Sequence, residues 1–295
     1  MNQQETDKLL TVGLPVKNAE DTIRQVIESL LAQTYSNFRL IISDNNSSDA
    51  TAEICEGFAK LDERIQFHSQ PFDLGAYANF RYVYDQAKTD FFIWVASDDV
   101  RTENHFESTM ALLVNHPHAA VAGSDNTHTD GSKTNVVFEI VGSKEERVEQ
   151  LLKNANKSNG VFYGMFRRNA LSDYNFPAYP FLGWDWMLIL ELLKCGDFIR
   201  SHASHLELGT RGESQGVQRW SQWRSSPIHW VVPFLHVNIE VLRIAKSFSL
   251  RSQIQIIVRL MHLNLLALID QLVSETRISL KQLAKSIETR QSHRL

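Results

Sequence analysis

Short apolar runs and stretches of helical periodicity alternate along the first hundred residues. Thr11-Val12-Gly13-Leu14-Pro15-Val16 reads as an apolar strand stopped by a proline. Ile23, Val26, Ile27, Leu30 and Leu31 then recur at helical spacing behind the acidic Glu20 and Asp21. Residues 38–43 predict a second strand, which runs into the polar turn Asp44-Asn45-Asn46-Ser47-Ser48-Asp49 and a helix over 50–61. A third strand is expected over 65–68 and a third helix over 76–87. The aromatic and β-branched run Phe91-Phe92-Ile93-Trp94-Val95-Ala96 predicts a buried parallel strand. Strands alternating with helices imply a parallel, right-handed, doubly wound sheet.

Beyond residue 100 the pattern is looser. A strand is expected over 119–124, an extended segment over 136–140 and a helix over 144–154, where Val148, Leu151 and Leu152 are apolar. Residues 160–168 read as a strand-like run ending in Arg167 and Arg168, which face either phosphate or solvent. Phe181-Leu182-Gly183-Trp184-Asp185-Trp186 opens an amphipathic helix over 187–194. A strand over 197–202 leads to the loop Leu208-Gly209-Thr210-Arg211-Gly212-Glu213-Ser214. Further on, Ile254, Ile257, Val258, Met261, Leu265, Leu268, Ile269 and Leu272 return to helical spacing.

Composition narrows the class. A chain of 295 residues can bury a large core. The two cysteines, Cys55 and Cys195, fall in helices of different regions, so no disulfide is expected. Residues 1–7 lack the basic–apolar pattern of a signal peptide, and Arg259, His262 and Asp270 interrupt the apolar stretch 254–273. No Gly-x-Gly-x-x-Gly or Walker sequence occurs, which argues against NAD enzymes and P-loop NTPases. The expected location is cytoplasmic, with peripheral contact at the inner face of the membrane as an option.

The chemistry concentrates at Asp98 and Asp99. They follow a predicted buried strand directly, at the carboxyl edge of the sheet, where open α/β folds bind ligands. Adjacent carboxylates repel and need a cation or strong donors to stay ionised together. Hard oxygen ligands suit Mg²⁺ or Mn²⁺, which commonly carry a substrate diphosphate. A polar turn capping the next helix is the alternative.

Four motifs in order then carry a family resemblance. Pro15-Val16-Lys17-Asn18, Ser29-Leu30-Leu31-Ala32-Gln33-Thr34-Tyr35, Ser43-Asp44-Asn45-Asn46-Ser47-Ser48-Asp49-Ala50-Thr51 and Ser97-Asp98-Asp99 resemble the family 2 glycosyltransferases. That family comprises inverting, nucleotide-sugar-dependent enzymes with the GT-A fold. The resemblance implies a Rossmann-like, mostly parallel sheet flanked by helices, followed here by a C-terminal helical appendage. The expected division is a catalytic domain over 1–218, with a nucleotide-sugar half over 8–100 and an acceptor half over 101–218. A helical region over 219–295 follows.

The resemblance also implies roles. Pro15, Val16 and Asn18 would flank the nucleotide, and Asp44 would accept the uracil imide N–H, as a carboxylate suits. Asp98 would bond the ribose or help the metal, and Asp99 would ligate Mn²⁺ or Mg²⁺. Asn79 could bond the nucleotide or brace the Asp98–Asp99 loop. Gly164 lies in a segment that family members use beside the sugar. Asp185 matches the general base that takes the acceptor hydroxyl proton opposite the leaving diphosphate. Trp184 and Trp186 could desolvate it or stack on sugar rings, while a plain helix cap is its structural alternative. Arg211 would clamp the diphosphate. Glu213 stands where the family often has histidine, so His202 or His205 could substitute.

Charge is uneven. From Arg243 onward, nine Lys and Arg stand against three acids, so the tail carries +6 within a chain of net −4. With Trp220, Trp223 and Trp230 upstream, a basic amphipathic helix can lie on an anionic membrane, where lipid-linked glycan acceptors reside. A hairpin packed on the catalytic domain, or self-association, is the alternative. The expected function is an inverting transfer from a nucleoside-diphosphate sugar, with UDP the expected nucleotide, to an acceptor hydroxyl in surface polysaccharide or glycoconjugate synthesis. A sugar nucleotidyltransferase is disfavoured because the glycine-rich, arginine-containing loop of that class is missing after Leu14. A non-catalytic nucleotide-sugar-binding or membrane-surface relative remains open because Glu213 departs from the family pattern.

Overall fold

The apolar run at the N-terminus becomes the centre of a mixed sheet. The computed structural model describes residues 9–128, 138–155, 159–209 and 226–292. All seven residues of β1 (Leu10–Val16) are buried, as a strand covered on both faces must be. β1 pairs in parallel with β2 (Phe38–Asp44) on one side and β4 (Phe91–Trp94) on the other, and β2 pairs in parallel with β3 (Ile65–Ser69). Helices α1 (Ile23–Leu31), α2 (Thr51–Leu61) and α3 (Ala76–Asp85) make the crossovers. Leu10, Leu14, Ile23, Ile27, Leu30, Phe38 and Leu40 are among the largest fully buried side chains of the core.

The second half continues the sheet with reversed strands. After β5 (Val100–Arg101) and α4 (His105–Asn115) come β6 (Ala119–His128), α5 (Lys144–Lys153), the helical turn α6 (Asn159–Phe162) and β7 (Met165–Arg167). α7 (Trp184–Cys195) and β8 (Asp197–Leu208) complete an eight-stranded sheet of order β3-β2-β1-β4-β7-β6-β8-β5. β7 is antiparallel to β4 and β6, β5 is antiparallel to β8, and β6 is parallel to β8. The expected fold class therefore holds: the nucleotide half is wholly parallel, and the antiparallel strands enter only beyond residue 99.

Several elements differ from the sequence expectation. The strand-like run 160–168 is split into α6 and β7 by a turn at Gly164, whose N–H bonds the Val161 carbonyl at 3.1 Å. A Cβ on Gly164 would stand 2.8 Å from Val121 Cγ1 and 3.0 Å from the Ala122 carbonyl, so the turn can press on β6 only as glycine. β8 runs six residues past the expected 197–202, and α7 begins at Trp184 instead of Met187.

The chain divides into two compact units. Among the described residues, 9–178 and 185–209 form the first, and 179–184 with 226–292 form the second. The boundary expected at 218–219 lies outside the described residues. Within the second unit, α8 (Leu235–Ala245) buries Val237, Val241 and Ile244, and α9 runs from Leu250 to Ser292. α9 buries Ser252, Ile256, Leu260, Asn264, Ala267 and Gln271 at helical spacing. Leu250, Ile254, Val258, Met261, Leu265 and Leu272 face outward, each at least half exposed.

Candidate active site

The parallel register brings the predicted residues to one edge. Val16 pairs with Asp44, so the ends of β1 and β2 coincide, and the Val95 N–H continues the ladder to the Gly13 carbonyl at 2.9 Å. Ser97, Asp98 and Asp99 therefore emerge beside Pro15 and Val16 at the carboxyl edge of the sheet, the usual ligand edge of open α/β folds.

On the β2 side, Asp44 is 1% exposed and holds an Asx turn. Its carboxylate accepts the Ser47 N–H at 3.2 Å and the Ser47 hydroxyl at 2.5 Å. A carboxylate has about four acceptor sites, so this turn leaves capacity for a ligand donor. Asn46 and Asn18 both adopt left-handed backbone, φ 58° and 48°. Asn18 clasps the turn: its N–H bonds the Ser47 hydroxyl, and its side-chain oxygen accepts the Ser48 N–H, each at 2.9 Å. Lys17 reaches Asp73 at 2.5 Å and holds that carboxyl below its ordinary range; Asp73 also accepts the Asn45 amide at 2.7 Å. Asn79 is buried and its amide is committed to Ser43, at 2.6 Å to the hydroxyl and 2.9 Å to the carbonyl. It thus braces β2, and neither of those two bonds reaches the Asp98–Asp99 loop.

Asp99 is almost fully enclosed, 2% exposed. Its Oδ1 accepts the Gly209 N–H at 2.9 Å, while Oδ2 is buried without a hydrogen-bond partner among the described residues. Burial pushes the Asp99 carboxyl up to about 6, against the pull of Arg101 and the Gly209 N–H and with added repulsion from Asp98. Arg101 is itself buried; Nη2 donates to the Trp94 carbonyl at 3.3 Å, and Nε and Nη1 find no partner among the described residues. Beneath it lies His105, whose ring nitrogens are also unpartnered and whose burial, beside Arg101 and His205, keeps it neutral well below its ordinary pKa.

Asp185 occupies the first turn of α7, half-buried, and accepts the backbone N–H groups of Trp186 and of its own residue. Burial nevertheless pushes its carboxyl up to about 6. The residue that ties this carboxylate to the diaspartate is Tyr163, at the α6–β7 turn, which the sequence analysis passed over. Burial drives the Tyr163 hydroxyl pKa far up, and Asp99, Asp98 and Asp185 all add to it, with Arg101 opposing. One buried side chain thus feels all three carboxylates, two from the loop after β4 and one from the first turn of α7. Gly164, next in sequence, is buried against β6 and contributes packing there.

The other candidates lie on several elements. Trp186 is half-buried in the first unit, whereas Trp184 belongs to the second. Arg167 bonds the Ala119 and Leu113 carbonyls and lies over the Phe91 ring; Arg168 bonds the Ala87 carbonyl and lies over Tyr84. Both arginines thus clamp the amino edge of β4. His202 bonds Asp125 at 3.1 Å and His205 bonds the Thr127 hydroxyl at 2.8 Å, both between β6 and β8. Arg211 and Glu213 lie outside the described residues, which run up to Gly209 and resume at 226.

The donor set can be tested for a metal. Among the described residues there is no cluster of three or more His, Cys, Asp or Glu able to hold an ion. What exists is a buried, unpartnered Asp99 oxygen beside Asp98. That suits Mg²⁺ or Mn²⁺ in the mode in which one or two carboxylates and substrate phosphates share the ion.

With that geometry in place, comparison with known proteins identifies the class. The model of the family described as Glycosyl transferase family 2 matches residues 11–175, more than half of the chain, and the chain belongs to that family. It is 30% identical over 158 residues to glycosyltransferase GlyG of Streptococcus pneumoniae, covering 52% of each chain. It is 28% identical over 188 residues to the Escherichia coli UDP-Glc:alpha-D-GlcNAc-diphosphoundecaprenol beta-1,3-glucosyltransferase WfgD, covering 64% of this chain and 71% of that one. Among solved structures, that of S. aureus TarS 1-349 in complex with UDP-GlcNAc aligns with a TM-score of 0.62 at 17% identity, over 83% of this chain and 69% of that one. At that identity the likeness is one of fold. The chain spans between 19% and 60% of the length of three curated relatives it matches.

Proposed function

We propose that the protein transfers a sugar from a UDP-sugar to an acceptor hydroxyl with inversion, using Asp185 as general base. What supports this reading is that the Asp98, Asp99 and Asp185 carboxylates all act electrostatically on the one buried Tyr163 hydroxyl. A displacement at the anomeric carbon needs a proton acceptor on one face and a stabilised diphosphate on the other. A carboxylate pushed up to about 6 by burial is largely ionised at neutral pH, yet basic enough to take a proton as the bond forms. The base of the nucleotide sits between Pro15–Val16 and the Asp44 turn, with Asp44 accepting the uracil imide N–H and Asn18 holding the turn in place. Asp99, with Asp98, holds Mn²⁺ or Mg²⁺, which when bound neutralises charge developing on the leaving diphosphate. Arg211 is proposed to close on the same diphosphate.

The acceptor is proposed to be a lipid-linked glycan, in keeping with the name of the Escherichia coli relative. Support from this chain comes from α9, whose outward apolar stripe is bordered by Arg251, Arg259 and His262. Among the described residues one helix stretch, Leu250–Arg277, is long and apolar enough to cross a membrane by length and composition. The basic border favours a helix lying along an anionic surface, where the cations meet lipid phosphates while the stripe enters the acyl boundary.

Calorimetric titration with UDP, GDP and dTDP, each with Mn²⁺ and with chelator, tests the donor assignment. Metal-dependent binding of UDP alone is the expected result. Absence of binding by all three would move the non-catalytic reading to the front.

A further inference from the structure

Both ends of α1 grip the loop that carries the diaspartate. At its start, the Thr22 hydroxyl donates to the Ser97 carbonyl at 2.7 Å, directly before Asp98. Just past its end, the buried Gln33 amide donates to the Thr102 carbonyl at 2.8 Å and accepts the Phe106 N–H at 2.9 Å, directly after Arg101. The Thr34 N–H adds a bond to the Glu103 carbonyl at 2.8 Å. The residues before Thr22 hold the other half of the site. Asn18 binds Ser47 and Ser48 as described, and the Ala19 N–H donates to the Thr51 hydroxyl at 2.7 Å. The Glu20 carboxylate accepts the Ala50 N–H at 2.9 Å. A single segment, 18–34, is thus bonded to the Asp44 turn on one side and to both flanks of Asp98–Asp99 on the other.

We propose that this segment sets the distance between the base-binding turn and the diphosphate-binding loop, with Thr22 and Gln33 as positioning residues that never touch the substrate. The physical case is rigidity. Within the Ser97–Asp99 turn the Asp99 N–H reaches the Ala96 carbonyl at a long 3.4 Å, and from β8 the Gly209 N–H holds Asp99 Oδ1 at 2.9 Å. Two adjacent carboxylates also repel each other. Without the tether at Ser97, the loop can swing to relieve that repulsion, and displacement of a positioned group by an ångström is costly to function. The α1 core face, Ile23, Val26, Ile27 and Leu30, is buried and provides a fixed bar between the two tethers.

The proposal rests on Asp99 carrying the metal–diphosphate, so the test separates the two. UDP with saturating Mn²⁺, and uridine alone, are titrated into wild type, Thr22→Val, Thr22→Ser, Gln33→Leu and Asp99→Asn. Loss of one tethering hydrogen bond is worth about fivefold to tenfold. Thr22→Val is expected to weaken UDP–Mn²⁺ by that factor while uridine affinity stays within about twofold. Thr22→Ser, which keeps the hydroxyl, is expected to restore it, and Gln33→Leu to repeat the selective loss if it folds. A role confined to stability would move UDP and uridine together. If Asp99→Asn loses UDP–Mn²⁺ affinity and Thr22→Val does not, the positioning role is overturned and the metal site stands. If Asp99→Asn binds UDP–Mn²⁺ as wild type does, the metal reading falls and the positioning role with it.

Discussion

Gly209 stands directly over Asp98: a Cβ built on it would lie 2.1 Å from the Asp98 Cγ and Oδ2, while its N–H holds Asp99 Oδ1 at 2.9 Å. The end of β8 therefore closes on both carboxylates at once, and only a residue without a side chain fits. Gly209→Ala is expected to displace the Asp98 carboxylate and lower kcat/KM about tenfold or more, with stability changed by only ~1 kcal/mol. Initial rates and a thermal melt on the same sample check it; rates equal to wild type would contradict the closure.

Asp44 offers a charged acceptor that the Ser47 turn does not exhaust. Asp44→Asn keeps a turn-forming side-chain oxygen but loses the charge. UDP affinity is expected to fall about tenfold, the size of one charged hydrogen bond, with the melting temperature little changed. Calorimetry with UDP reads this. An unchanged Kd would assign Asp44 to the turn alone.

Burial pushes the Asp185 carboxyl up to about 6, above the ordinary carboxylate range. The folded state thus keeps a proton that the unfolded chain releases, and stability drains away as pH rises from about 4 to 6. Asp185→Asn removes that penalty. Its stability relative to wild type is expected to be level near pH 4, to rise through pH 6 and to stay higher above it, by on the order of 1 kcal/mol after allowance for its partial exposure. Melts across pH 4–8 decide; a constant offset would deny the shift.

The same shift sets the rate profile. With Mn²⁺ saturating, Asp99 as its proposed ligand would be held ionised, which leaves Asp185, the proposed base, to govern the acid side. The logarithm of kcat/KM is expected to fall with unit slope below about pH 6. A profile flat to pH 5 would exclude Asp185 as the base.

Much of this was legible in the sequence because parallel strands buried on both faces write unbroken apolar runs. β1 and β4 are such runs, and the polar residues that stop them, Asn18 and Asp98, mark the ligand edge. Elements whose buried faces mix polar residues were harder to read. α4 carries His105 and Thr109 among Phe106, Met110 and Leu113, all buried, and this blurs its apolar stripe. The second half of β8 carries Ser204, His205 and Glu207, and it is extended because β6 and β5 pair with it. Tyr163 read as one more residue of an aromatic strand; the glycines at 160 and 164 around it were the available sign of a tight turn. Gln33 was visible as a motif residue, but its bonds to Thr102 and Phe106 span about seventy residues of sequence and exist only in the fold.

The most direct measurement is the turnover of Asp185→Asn at saturating UDP-sugar, with UDP affinity measured on the same protein. Turnover is expected to fall a hundredfold or more, on the order of a lost general base, while the Kd for UDP stays within about twofold. Turnover equal to wild type, with UDP still bound, would contradict the assignment of Asp185 as the base.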